Sequence, residues 1–71
     1  MPQKANILFA KILGSKWTAV EPQNGEKHFL VTRIADQKRR QLKLECVVTK
    51  RTTFISYEEL IKSGRYLSGW R

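Results

Sequence analysis

Two side chains in this sequence have the types needed for nucleophilic chemistry, and each is alone of its kind: His28 and Cys46. A Cys–His pair needs the base within hydrogen-bond reach, so that the thiol is activated. The two fall on different predicted strands. Cys46 sits on a core-facing phase, where a cysteine behaves as a small inert hydrophobe. No serine stands out as an alternative partner for His28. One His and one Cys do not complete a four-ligand zinc site, and no glycine-rich phosphate loop is present. Glu58-Glu59 has the look of a carboxylate pair, but its place at a predicted helix start explains it as capping. The expectation is a protein that is not an enzyme and takes no cofactor or metal.

The cations say more. Fourteen Lys/Arg face six Asp/Glu, a net charge of +8 on 71 residues. Such a surface draws polyanions, nucleic acid first. The charge is densest in Lys38-Arg39-Arg40, Lys43 and Lys50-Arg51, which flank two predicted turns. In an up-and-down sheet these clusters fall at opposite ends, roughly 15–25 Å apart. That spacing suits contacts along a phosphate backbone, which give affinity without reading sequence. RNA is preferred over DNA because no recognition helix is apparent. Base stacking would fall to exposed aromatics, with His28, Tyr57, Tyr66 and Trp17 as candidates. Against this stands a plainer reading: Trp17, Phe29, Phe54 and Trp70 fill the core, His28 is an ordinary sheet residue, and the tips are merely solvated.

These residues need elements to hold them. A chain this short makes one domain, 1–71, and buries about 60% of its unfolded surface. One cysteine allows no internal disulfide. No run approaches the ~18 apolar residues of a membrane span, and the start lacks a secretory apolar region. The chain reads as an unprocessed cytoplasmic product. Residues 1–5 read as loose. Asn6 reads as an N-cap and 6–13 as a short helix stopped by Gly14. Leu8/Ile12 and Phe9/Leu13, four apart, share faces of that helix.

The sheet is expected over 16–55. Strand one runs Lys16 to Val20 with Trp17 and Ala19 on one face, ended by Glu21-Pro22. Asn24-Gly25 is a tight-turn signal. Strand two runs Lys27 to Ala35, its phase open between two faces, with Phe29/Val31 inward preferred. Strand three, Leu42 to Thr49, alternates cleanly: Leu42, Leu44, Cys46 and Val48 inward. Lys50-Arg51 turns into strand four, Thr52 to Ile55. Ser56 and Glu59 form a capping box for a helix over 57–63, with Ile55 and Leu60 as the hydrophobic staple. Gly64 stops it. Residues 64–71 form a tail whose Trp70 folds back onto the sheet. The fold class is α+β: a four-stranded antiparallel meander with a short N-terminal and a short C-terminal helix, able to close partly into a small barrel.

Gly14-Ser15-Lys16-Trp17-Thr18-Ala19-Val20-Glu21-Pro22, Glu26-Lys27-His28-Phe29-Leu30-Val31 and the closing Gly69-Trp70 resemble the small bacterial tryptophan-rich proteins, a family of unknown function. The resemblance runs from about Leu8 to Trp70. Tyr57 and Tyr66 hold places where other members carry tryptophan. It implies a bacterial, cytoplasmic origin and brings no activity, cofactor or site.

Two functions follow as expectations. The first is a small RNA-binding, ribosome-associated protein that contacts phosphates through Lys38, Arg39, Arg40, Lys43, Lys50 and Arg51, with His28 beside them. The second is a protein-interaction module with an aromatic groove on the sheet. A membrane partner is not expected.

Overall fold

The computed structural model describes residues 7–71. The proposed loose end 1–5 and the Asn6 cap lie outside them. Five strands form one open antiparallel sheet in the order β4-β3-β2-β1-β5. They are β1 Lys16–Gln23, β2 Glu26–Asp36, β3 Gln41–Cys46, β4 Thr52–Ser56 and β5 Tyr66–Ser68. The expected four-stranded meander is present. The fifth strand lies within residues 64–71, where a tail is expected: β5 adds to the outer edge of β1, pairing Trp17 with Ser68 and Ala19 with Tyr66. β4 and β5 run the same way at opposite edges, and the sheet does not close into a barrel.

Among the described residues one α-helix forms, α1 Tyr57–Lys62, which links β4 to β5. Its start is as expected. Ser56 Oγ accepts from Glu59 N–H at 3.1 Å, and Ile55 and Leu60 are both buried. The carboxylate of Glu59 does not return to the cap; it pairs with Arg65 instead. Gly64 follows with φ +79, the left-handed stop that only glycine adopts without strain.

The N-terminal helix is a correction. Only a 3-10 turn forms, Phe9–Lys11. So short an apolar run does not hold an α-helix alone. The sheet also takes the chain away: Gly14 N–H donates to Val31 O at 2.8 Å, and Val31 N–H to Ser15 O at 3.0 Å. Ile12 is buried, while Leu8 and Leu13 stay in solvent, so the i,i+4 faces do not exist. Phe9 meets Tyr57 edge to face, and Tyr57 Oη donates to Ile7 O at 2.6 Å.

Asn24 and Gly25 both take positive φ, as a two-residue hairpin turn requires. β1 does not stop at Glu21-Pro22 but continues to Gln23. Its contact with β5 covers only Trp17 to Ala19, so Pro22 lies where no ladder donor is needed.

β2 has the preferred phase, with Phe29 and Val31 inward. A bulge between Val31 and Arg33 then shifts the register by one. Beyond it Ile34, paired with Leu42, packs on the core, and Arg33 faces out. β3 ends three residues early. Leu42, Leu44 and Cys46 are buried, but Val48 is 74% exposed. Val47 N–H donates to His28 O, Lys50 N–H returns to Cys46 O, and Lys50 takes φ +66. The turn between β3 and β4 is therefore a loop over Val47–Lys50, not a tight Lys50-Arg51 turn.

The core comprises Ile12, Trp17, Phe29, Val31, Leu42, Leu44, Cys46, Ile55 and Leu60. All of it lies on one side of the sheet, under α1 and the N-terminal turn. The body measures 32 × 31 × 16 Å. Sixteen ångströms holds a sheet and one covering layer, so the other face of the sheet carries no second layer.

Candidate nucleic-acid interface

The six cations singled out in the sequence divide into two groups. Arg40 and Arg51 are engaged. Arg40 Nη1 donates to Glu58 Oε2 at 3.1 Å, and its guanidinium lies over the rings of Phe9 at 5.5 Å and Tyr57 at 5.9 Å. Arg51 holds Glu26 with two nitrogens: Nη2 reaches Oε1, and Nε donates to Oε2 at 3.0 Å. Lys38, Arg39, Lys43 and Lys50 form no ion pair among the described residues, where the pairs are Arg40–Glu58, Arg51–Glu26 and Arg65–Glu59.

Glu26 is the electrostatic anchor of its end of the sheet. It follows the Asn24-Gly25 turn and is only 5% exposed. The Arg51 guanidinium first, then the Thr49 hydroxyl donating at 2.6 Å, hold its carboxyl down to about 2, against the upward push of burial. Turns one and three of a meander share an end, so this pairing follows from the topology. Cys46 lies next to it. Burial pushes its thiol up, but hydrogen bonds from Thr49 and the Val48 backbone outweigh that and leave it lowered.

Topology places the tips as expected. The β2–β3 connection with Lys38 and Arg39 is at one end, and the β3–β4 loop with Lys50 at the other. The six residues of β3 between them span about 20 Å. Lys43 is not at a tip. It lies within β3, paired to Arg33 on β2 and Phe54 on β4, on the face opposite the core.

The aromatic assignments change most. Of the stacking candidates, Trp17 is fully buried, and its Nε1 donates to Ser15 Oγ at 2.7 Å. Tyr57 packs on Phe9, and Tyr66 packs edge to face on Phe29 in the core. His28 alone lies on the outer face. Phe54 and Trp70, both expected in the core, are corrections: they are 61% and 44% exposed. Phe54 alternates with Ile55, which takes the core phase beside Leu42. Trp70 does fold back, but over the other face. Gly69, at φ +86, turns the chain there after β5.

The Ser-Lys-Trp-Thr block thereby gains a physical role. Trp17 points into the core while its two neighbours fasten the C-terminus. Gly69 N–H donates to Lys16 O at 2.7 Å. Thr18 Oγ1 donates to Gly69 O at 2.6 Å and accepts from Arg71 N–H at 3.0 Å. Trp70 Nε1 donates to Phe29 O at 3.0 Å. The Lys16 ammonium lies 4.8 Å from the indole centroid, and the His28 ring 6.0 Å from it. His28 Nε2 also meets Arg71 O at 3.1 Å. One signal for this arrangement was legible: Lys16, Thr18 and His28 share the outward phase of their strands.

His28 and Cys46 project to opposite faces of the sheet, because Cys46 pairs with the inward Phe29. Among the described residues no three His, Cys, Asp or Glu side chains gather as a metal site. Among the described residues no helix is long and apolar enough to cross a membrane. On the core side, a groove of about 500 Å³ opens between β4 and the β1–β5 edge. Thr53, Glu26, Arg51, Arg65, Phe29 and Tyr66 line it, so it is more polar than the aromatic groove expected.

The family described as Tryptophan-rich protein (DUF2389) matches residues 15–71. No curated protein and no solved structure matches the chain.

Proposed function

This chain belongs to the tryptophan-rich protein family, a family of unknown function, and from that premise we propose that it is a small RNA-binding protein of the bacterial cytoplasm, holding backbone phosphates. The observation that carries the reading is the distribution of charge. Fourteen cations face six carboxylates, and three of those carboxylates are committed to Arg40, Arg51 and Arg65. Lys38, Arg39 and Lys43 and, at the far end, Lys50 stay outside those pairs. They are the residues that contact phosphate. Arg40 and Arg51 act mainly within the fold, and His28 contributes at the outer face.

The test is a titration of the protein with single-stranded and structured RNA at low and high salt. Binding at low salt that weakens steeply as salt rises is expected, because each phosphate contact releases counterions. Replacing Lys38 and Arg39 with glutamine should weaken it on every RNA. No binding at low salt, or binding indifferent to salt, overturns the reading. Ribosome association is the more specific form of it: the protein should cosediment with ribosomes at low salt and leave them at high salt.

A protein partner is the second reading, favoured by the groove between β4 and β5, where Phe29 and Tyr66 adjoin Arg51 and Arg65. A protein that copurifies through nuclease treatment and high salt distinguishes it.

A further inference from the structure

We propose that the outer face of the sheet is a stacking platform for the bases of single-stranded RNA, centred on Trp70 and Phe54. This rests on the RNA-binding reading and adds which form of RNA is held and by what surface.

Four observations converge on that face. Two large aromatic side chains are exposed on it, Phe54 at 61% and Trp70 at 44%, beside the half-buried Leu30. The backbone under Phe54 is set by the β3–β4 ladder, and the Trp70 indole is held by its bond to Phe29 O with the Thr18 clamp on either side. The Trp70 ring, already fixed, loses little freedom on binding, which favours affinity. Cations stand among the rings. Strand pairing sets Lys16 opposite Leu30, Arg33 opposite Lys43, and Lys43 opposite Phe54. One carboxylate, Glu45, shares the face, paired with Leu30. The platform also has the breadth for more than one base: from β1 under Trp70 to β4 with Phe54 is three strand spacings, about 14 Å.

Stacking on aromatics combined with a positive track is how single strands are held without reading sequence. A duplex hides the faces of its bases, so it can use the cations but not the rings. Charge complementarity commits the occupant to a polyanion, and the exposed rings commit it to one with free bases. The Lys38-Arg39 tip adjoins the Arg33–Lys43 corner and gives the strand an exit along the backbone.

The experiment compares polyuridine with an RNA duplex of matched length, both titrated into the full chain. The variants are Phe54→Ala and Trp70→Leu, with folding checked by urea unfolding. Phe54 is the safer probe, because its ring makes no contact in the core cluster. Each substitution is expected to weaken polyuridine binding by about 5- to 150-fold, the range of one lost base stack, and to leave duplex binding within about twofold. Polyuridine should also quench the fluorescence of Trp70, the exposed one of the two tryptophans, and Trp70→Leu should remove the quench.

Unchanged polyuridine affinity in Phe54→Ala and Trp70→Leu overturns the platform. If Lys38→Gln with Arg39→Gln still weakens binding, the phosphate reading survives that result. If neither RNA binds the unaltered protein, both fall together. If Phe54→Ala instead dissociates a dimer and leaves polyuridine binding intact, the face belongs to a second copy and the platform is overturned.

Discussion

At the scale of single residues, Thr18 and Glu26 hold the most. Thr18 lies on the outward phase of its strand yet is only 3% exposed, because the C-terminal chain crosses it. Its hydroxyl serves one donor and one acceptor of that chain. Thr18→Val keeps the shape and removes both bonds, leaving partly buried backbone groups unpaired. The expected loss is about 1–3 kcal/mol in urea unfolding, with a red shift in Trp70 emission as the indole frees itself. An unshifted spectrum would show that the tail is held by other means. Glu26 sets the response to acid. Its carboxyl is held at about 2, against an ordinary 4.5, by Arg51 and Thr49. A depressed carboxylate stabilises the fold fully above its ordinary value, and that stability is lost as pH falls from 4.5 towards 2, where the unfolded chain binds the proton first. The urea midpoint should therefore drop between pH 5 and 2, as about the interval those two values define. Glu26→Gln should start lower near neutrality and show a shallower fall. An equally steep fall in the variant would place the acid sensitivity in other carboxylates.

Elements show where local signals prevail and where tertiary contacts override them. α1 is only six residues long, yet its bounds were legible, because a cap, a staple and a stop glycine agree. Ser56→Ala removes the bond to Glu59 N–H and should cost about 1 kcal/mol, read from the urea midpoint. The N-terminal segment had a stop but too few residues to sustain a helix, and β2 competed for its last backbone groups. Strand three had a clean alternation through Val48. The pattern failed there because Thr49 is drawn to Glu26, a residue from the first hairpin. Alternation reports what a strand would bury; it does not report where the strand ends. Phe54 illustrates the converse. Its neighbour Ile55 carried the staple signal, and period two then required Phe54 to face out, although its bulk argued for the core.

For the molecule as a whole, charge and layer count decide what is available. With four cations outside the ion pairs as the contacts, a single strand should give a slope of about −3 in log affinity against log salt. A slope near zero would make the surface charge a matter of solubility alone. The layer count follows from core volume. Nine buried hydrophobic residues fill one side of the sheet, and those on the other, Leu30, Phe54 and Trp70 among them, have no covering element to pack against.

Composition by itself determined the excess of positive charge, the single histidine and single cysteine, and with one cysteine the absence of an internal disulfide. Local order determined the hairpin at Asn24-Gly25, the inward faces of β1 and of β3 as far as Cys46, and the helix after Ser56, since each depends on neighbours within a few residues; the phase of β2 stayed open between two faces. Only the tertiary structure decided which arginines are neutralised, that the last residues form a fifth strand, and that Trp70 lies on the open face. Those outcomes rest on contacts between segments far apart along the chain: Glu26 with Arg51, Thr18 with Gly69, Phe29 with Trp70. Their energies depend on where folding brings the partners, and no local pattern of residue types encodes that.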